Sequence, residues 1–259
     1  MASLVVPEWA ELDWLWHGFS TRPGGVSRVY SNGGDGELNL GFTATDSAEN
    51  VRENRRRFVQ EISGNSETRL ATVRQVHSNR AVVLEPGFSG WDAAPEADGM
   101  MTGERGVLLG ILTADCVPVL VVDPVVRVVA GFHAGWRGTS GRIVELGVGQ
   151  MQREFGSEPG RLLAAIGPAI GGCCYAVGAE VIGQFEDRFG YADELFTRSD
   201  DETRLDLIEA NRRQLLAAGL DAGSVAVVGG CTSCHPDLYY SHRASGGHAG
   251  RMMAVVGIR

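Results

Sequence analysis

The chain has 259 residues, 44% hydrophobic and 21% charged, the composition of an ordinary globular protein with one or two domains. Its net charge of -9 argues against a nucleic-acid-binding surface. All 23 basic residues are arginine, which excludes a Schiff-base lysine and a P-loop, so any phosphate must be gripped by guanidinium groups or backbone N–H groups.

In chain order, the first 16 residues carry Glu8, Glu11 and Asp13 and no basic region followed by an apolar run. No signal peptide is expected, and the protein reads as cytoplasmic with its five cysteines reduced. No run of about 18 apolar residues suggests a membrane span. A first helix is predicted from Asp46 and Glu49, a capping-box pair, with Val51, Phe58, Val59 and Ile62 on one face and Gly64 at its end. Residues 106–113, 118–123 and 125–132 are short apolar runs that read as buried strands, with Asp123-Pro124 turning between the last two. A helix follows Thr139-Ser140 and stops at Gly156, and another spans about residues 205–218, ending at Gly219.

Three short words surround these strands: Arg74-Gln75-Val76-His77-Ser78, Thr113-Ala114-Asp115-Cys116 and Phe132-His133-Ala134-Gly135-Trp136-Arg137-Gly138. Each contains one potential metal ligand. Two imidazoles and a thiolate suit zinc, and three protein ligands leave the open position of a catalytic site, where a structural site is closed by four. Cys116 falls in the break between two strands and His133 at the end of a third, positions from which ligands can converge on rigid backbone. The spacings, 39 and 17 residues, match no local zinc-finger pattern. Taken singly, each residue could equally be a buried small hydrophobe or a hydrogen-bonded core histidine.

Other features have bland readings beside sharp ones. Cys231-Thr232-Ser233-Cys234-His235 fits the haem-attachment pattern and, as Cys-x-x-Cys, redox or zinc sites. Haem attachment of that kind normally needs export. The side chains of adjacent Cys173 and Cys174 are expected to diverge. The glycine-rich stretches Arg22-Pro23-Gly24-Gly25 and Gly246-Gly247-His248-Ala249-Gly250 match no phosphate loop and read as turns.

The three words, together with residues 18–27, Leu38-Asn39-Leu40-Gly41, Ile166-Gly167-Pro168 and Gly250-Arg251-Met252, resemble the multicopper polyphenol oxidase (laccase-domain) family, understood as zinc-dependent purine nucleoside phosphorylases and linked in part to peptidoglycan-precursor editing. The resemblance covers nearly the whole chain. It implies one domain over residues 1–259 with an α+β fold: mixed β-sheets packed together, helices outside, similar to the cytotoxic-necrotizing-factor-like cysteine hydrolase fold.

The resemblance also implies zinc on His77, Cys116 and His133, with copper binding possible. The implied reactions are phosphorolysis of adenosine, inosine and 5'-methylthioadenosine to free base and ribose 1-phosphate, and deamination of adenosine. The implied partners are purine nucleosides and phosphate, with no nucleic acid and no membrane. Zinc suits deamination because it activates water. Arg22, Arg74 and Arg137 lie in the shared words and are the first choices for phosphate, followed by Arg243 and Arg251, with Gln75 beside them as a substrate contact. Asp115, next to Cys116, and Asp98, in Ala97-Asp98-Gly99, are both open to acid–base work or to orienting a ligating histidine.

Ala169, where relatives often have cysteine, and His242, where an aromatic is usual, depart from the family pattern and bear on local substrate preference. Three competing readings stand beside the lead. Cys116 could be a nucleophile with His133 or His77 as base, making an amide or ester hydrolase. A copper phenol oxidase is disfavoured by only six histidines. A zinc-stabilised binding module is disfavoured by the open ligand set.

Overall fold

A computed structural model describes residues 3–30, 36–88, 90 and 93–259. The first half of the chain forms β1 (Leu15–Phe19), β2 (Pro23–Ser27), α1 (Ala48–Ser63), β3 (Arg69–Ala71), β4 (Ala81–Val83), β5 (Gly99–Thr102), β6 (Val107–Thr113) and β7 (Val117–Asp123). The second forms β8 (Val128–Ala134), α2 (Trp136–Ser140), α3 (Ile143–Phe155), β9 (Leu163–Ile166), β10 (Ala176–Val177), α4 (Ala179–Glu186), β11 (Phe196–Arg198), β12 (Thr203–Leu205), α5 (Leu207–Ala217), β13 (Val225–Val227) and β14 (Met252–Ile258). No helix among the described residues is long and apolar enough to cross a membrane.

Two mixed sheets stack face to face, one ordered β1-β14-β6-β3 and the other β13-β9-β7-β8-β5-β4; a small third sheet, β10-β12-β11, adds Phe196 and Leu205 to the core beside the six-stranded sheet. Period-2 alternation explains the stacking, because both faces of the central strands are apolar. On β7, Val117, Val119 and Val121 join one core while Leu120 and Val122 join another. On β14, Ala254, Val256 and Ile258 face the same inter-sheet core as Leu120, whereas Met253 and Val255 turn the other way to meet Phe58 and Val59 of α1. Beyond the six-stranded sheet, Val144, Val148 and Met151 of α3 and Ala210 and Leu215 of α5 cover Val119, Ala130 and Phe132. The result is four layers, helix–sheet–sheet–helix, an α+β fold of mixed sheets with the helices outside. Close approach of the outer helix requires Gly147, since a Cβ there would come within 2.3 Å of the Phe132 ring.

Local chemistry moves several element ends from their predicted places. Ser47, not Asp46, caps α1, its side chain accepting the Asn50 N–H, while Asp46 is drawn into a buried network with Ser27 and Asn39. Gly64 ends the helix in the left-handed region as expected. The strand predicted from 125 begins at Val128: Asp123 accepts the N–H groups of Val125 and Val126, and Arg127 takes a φ of 53°. This makes residues 124–127 a turn despite two valines. The last long helix starts at Leu207, capped by Asp206, because Leu205 is used in β12 opposite Phe196.

Candidate metal centre

The β7–β8 hairpin places two of the three ligands. Antiparallel register pairs Val117 with Ala134 and Pro118 with His133, so Cys116, one residue before β7, comes up beside the end of β8. His77 arrives from the segment between β3 and β4. The three ligand atoms lie within 4.8 Å of one another, and the His77 and His133 rings meet edge to face with centroids 4.9 Å apart. His133 is buried, Cys116 half-buried and His77 exposed, so the cluster opens to one side.

Asp98 assembles this arrangement. Fully buried, it accepts the backbone N–H groups of Val76 (3.2 Å), His77 (3.0 Å) and Ser78 (2.6 Å) and the Ser78 hydroxyl (2.7 Å). Its Oδ1 also lies 2.8 Å from His133 Nδ1. A carboxylate only accepts, so that proton sits on Nδ1 and Nε2 is left for a metal, the usual carboxylate–histidine arrangement. Burial opposes the Asp98 charge, but the His133 and Ser78 hydrogen bonds prevail and bring its carboxyl down to about 2. The bond from the His77 N–H to this carboxylate goes with a left-handed backbone at His77, φ 60°, uncommon for a residue other than glycine.

Electrostatics favour a charged ligand set. Burial disfavours the Cys116 thiolate, but the His133 imidazolium and hydrogen bonds from both histidines outweigh it and shift the thiol down. Reciprocally, burial disfavours the His133 cation, and the Cys116 thiolate and Asp98 shift it up. A thiolate held between two imidazoles is a donor set that fits zinc, with a position left for water or substrate.

The cluster lies on the floor of a cavity of about 790 Å³, roomy enough for a nucleoside. Gln75 and Arg74, expected to contact substrate and phosphate, are among its lining residues. The Gln75 amide is engaged, donating to Leu112 O and accepting Leu112 N–H, both at 2.8 Å; Arg74 pairs with Glu96 at the exposed rim. Arg22 and Arg137 do not line the cavity. Arg22 is spent on Glu37 and on the carbonyls of Tyr30 and Pro236, and Arg137 stacks on Trp136 near Glu180.

Asp115 is not among the residues that line the cavity. Its Oδ1 accepts the Thr232 hydroxyl at 2.6 Å and its Oδ2 the Arg243 N–H at 2.7 Å, with a backbone φ of 88°. These two bonds tie the residue beside Cys116 to the 232 and 243 segments. Of the two open carboxylates, Asp98 orients the histidine. Besides Arg74, the cavity is lined by Arg251, a later choice from the sequence, and by Arg55, which the sequence did not single out. Arg55 donates to Leu40 O and stacks on Phe42; burial lowers its guanidinium only to about 10, so it stays charged at neutral pH. Asn39 of the Leu-Asn-Leu-Gly word accepts the Arg251 N–H at 2.9 Å. His242, a departure from the family pattern, lines the same cavity.

Gly135 leaves the room the ligands need. A Cβ there would lie 3.0 Å from Cys116 Sγ and 3.2 Å from His77 Cδ2. Gly135→Ala is therefore expected to weaken zinc binding about tenfold, or about 1.4 kcal/mol, with little change in thermal unfolding of the metal-free protein. Zinc competition against a chromogenic chelator checks this; unchanged affinity would show that the ligands sit elsewhere.

Comparison with known proteins places the chain among relatives over most of its length. A purine nucleoside phosphorylase from Deinococcus radiodurans is 41% identical over 243 residues, 93% of this chain and 88% of the relative. An adenosine deaminase, RL5, from an unknown prokaryotic organism is 36% identical over 190 residues, 70% of this chain and 72% of the relative. The crystal structure of Bacillus licheniformis hypothetical protein YfiH superposes with a TM-score of 0.89 at 34% identity, covering 100% of this chain and 97% of that one. Residues 16–259, all three ligand words among them, match the family described as multi-copper polyphenol oxidoreductase laccase, and to that family the chain belongs.

Proposed function

We propose that the protein is a zinc-dependent purine nucleoside phosphorylase of the cytoplasm, converting adenosine, inosine or 5'-methylthioadenosine and phosphate to free base and ribose 1-phosphate, with adenosine deamination at the same centre. The observation that carries this reading is the open His77–Cys116–His133 cluster on the floor of an arginine-bearing cavity. Relatives named for both activities support it. When bound, zinc supplies Lewis-acid polarisation and activates water. The chain's own residues do the rest. Asp98 keeps the His133 proton on Nδ1, so the ring presents Nε2 throughout. Arg55, Arg74 and Arg251 bring positive charge to the cavity wall, where phosphate can be held without lysine. Phe42, exposed at the mouth and backed by Arg55, offers a face for the purine ring.

The decisive experiment incubates the purified protein with each nucleoside, with and without phosphate, and identifies the products. Base and ribose 1-phosphate formed only with phosphate support the proposal; no turnover of any purine nucleoside overturns it. Elemental analysis of the same preparation separates zinc from copper.

Phosphate binding gives a sharper expectation. Arg55→Ala, Arg74→Ala and Arg251→Ala should each remove about 1.5–3 kcal/mol of charge-assisted binding, a tenfold to hundredfold loss. The loss should appear in the phosphate dependence of base release, while zinc content and deamination persist. Unchanged apparent phosphate affinity in all three variants places the phosphate elsewhere.

One observation favours a second reading. Cys116, His133 and Asp98 also stand in the order of a nucleophile, its base and an orienting acid. An amide or ester hydrolase for peptidoglycan-precursor editing, similar to the cytotoxic-necrotizing-factor-like cysteine hydrolases, would use them so.

A further inference from the structure

The other four cysteines also come together. Cys173 and Cys174 lie in the turn between β9 and β10, and Cys231 and Cys234 in the loop after β13. A parallel bridge between Ala169 and Cys231, with the Thr232 N–H donating to Ala169 O at 3.0 Å, ties the two loops. The four Sγ atoms lie within 4.8 Å of one another. The adjacent pair, expected to diverge, converges on one partner: Cys234 Sγ is 3.6 Å from Cys173 Sγ and 3.4 Å from Cys174 Sγ.

These separations decide between two kinds of closure. A disulfide requires sulfurs about 2.05 Å apart. Four sulfurs about 2.3 Å from a central zinc form a tetrahedron with edges of about 3.8 Å, close to the distances observed. The surroundings also suit thiolates, since the Gly171 N–H donates to Cys231 Sγ at 3.2 Å. Gly171 is what lets the loops approach: a Cβ there would lie 3.2 Å from Cys173 Sγ and 3.3 Å from Cys231 Cβ. Cys173 and Cys234 are exposed, which leaves a path for an ion to enter.

We propose that Cys173, Cys174, Cys231 and Cys234 bind a second zinc ion as a closed four-thiolate structural site, distinct from the His77–Cys116–His133 centre. Four thiols release their protons to solvent and four Zn–S bonds form. Nothing is oxidised, whereas disulfide closure would need an external two-electron oxidant for each bond. Softness of the donors selects zinc over magnesium or calcium. The ion staples the 169–177 segment to the 229–238 segment. Thr232, between two of its ligands, is buried and donates its hydroxyl to Asp115 beside Cys116. The second site therefore steadies the turn that presents a ligand of the first, and it stands whether or not the reaction proposed above is correct.

Cobalt(II) tests this, because its visible absorption reports its ligands. Metal-free, reduced His77→Ala/His133→Ala protein, with the first centre disabled, should take up one cobalt per chain with the strong bands of tetrahedral thiolate coordination. Adding Cys231→Ser/Cys234→Ser should abolish them, and the same pair in the native background should lower zinc content by one per chain. Absence of thiolate–cobalt bands in His77→Ala/His133→Ala, or unchanged zinc in Cys231→Ser/Cys234→Ser, overturns the site. Unaltered protein gives an independent reading by iodoacetamide labelling and peptide mapping. The four cysteines should resist alkylation until a chelator is added; immediate labelling, or a non-reduced mass lower by two hydrogens per disulfide, overturns the proposal.

Discussion

Asp98→Ala is expected to cost about 3–5 kcal/mol of stability and to abolish metal binding at the His77–Cys116–His133 cluster. The carboxylate is fully buried and accepts from three backbone N–H groups, one hydroxyl and His133. Removing it strands those donors in the interior and takes from His133 one of its two anionic partners, leaving only the Cys116 thiolate, and buried donors without acceptors are costly. Asp98→Asn separates metal tuning from folding. It keeps the shape but no longer stabilises the Nδ1 proton with a full charge, and zinc affinity should fall about 10–100-fold. Urea unfolding and zinc competition measure the two effects; zinc binding by Asp98→Asn within twofold of the native protein would remove Asp98 from this role. A pH dependence accompanies it. The Asp98 carboxyl is lower in the folded state, at about 2, than the roughly 3.9 of an unfolded chain. Its contribution is complete above about pH 4 and lost as pH falls through about 2.

Cys116→Ala and His133→Ala should each lower nucleoside turnover about a thousandfold or more, since Lewis-acid catalysis supplies several kcal/mol and each 1.36 kcal/mol is tenfold. That loss alone does not separate a ligand from a nucleophile. Cys116→Asp does, because a carboxylate oxygen can replace the thiolate at zinc but cannot replace it in thiol chemistry. Partial zinc and partial activity in Cys116→Asp are expected, with no substrate-derived mass on the Cys116 peptide of the native enzyme. A trapped adduct on Cys116 would give the site to the hydrolase reading.

The central strands β6, β7 and β8 were legible because they are unbroken apolar runs, and a strand buried on both faces reads that way, whereas the packing of mixed sheets with helices outside was implied by the family resemblance. The turn between β7 and β8 was less legible. Val125 and Val126 look like strand, and only the Asp123 side chain, which claims both of their N–H groups, makes them a turn. The Cys116–His133 encounter follows from the hairpin register once that turn is placed. His77 does not: its approach depends on Asp98, whose contacts span 20 to 35 residues of sequence. The arginines separate for a similar reason. Arg22 and Arg137 sit in informative words, yet their guanidinium groups are taken by Glu37 and by the Trp136 ring, pairings with no local signature. Arg55 lies in an Arg-rich helical stretch that carried no site signal, and the fold of α1 against Leu40 brings it to the cavity.

The Gln75 side chain acts as a substitute strand. β3 pairs with β6 only at residues 107–109, so further along, at Leu112, the border of that sheet would offer a free amide and carbonyl to any extended chain. Gln75 occupies both with its own amide. An extended chain would have to displace the Gln75 amide to pair with Leu112, so a single side chain closes that stretch of edge beside the cavity wall.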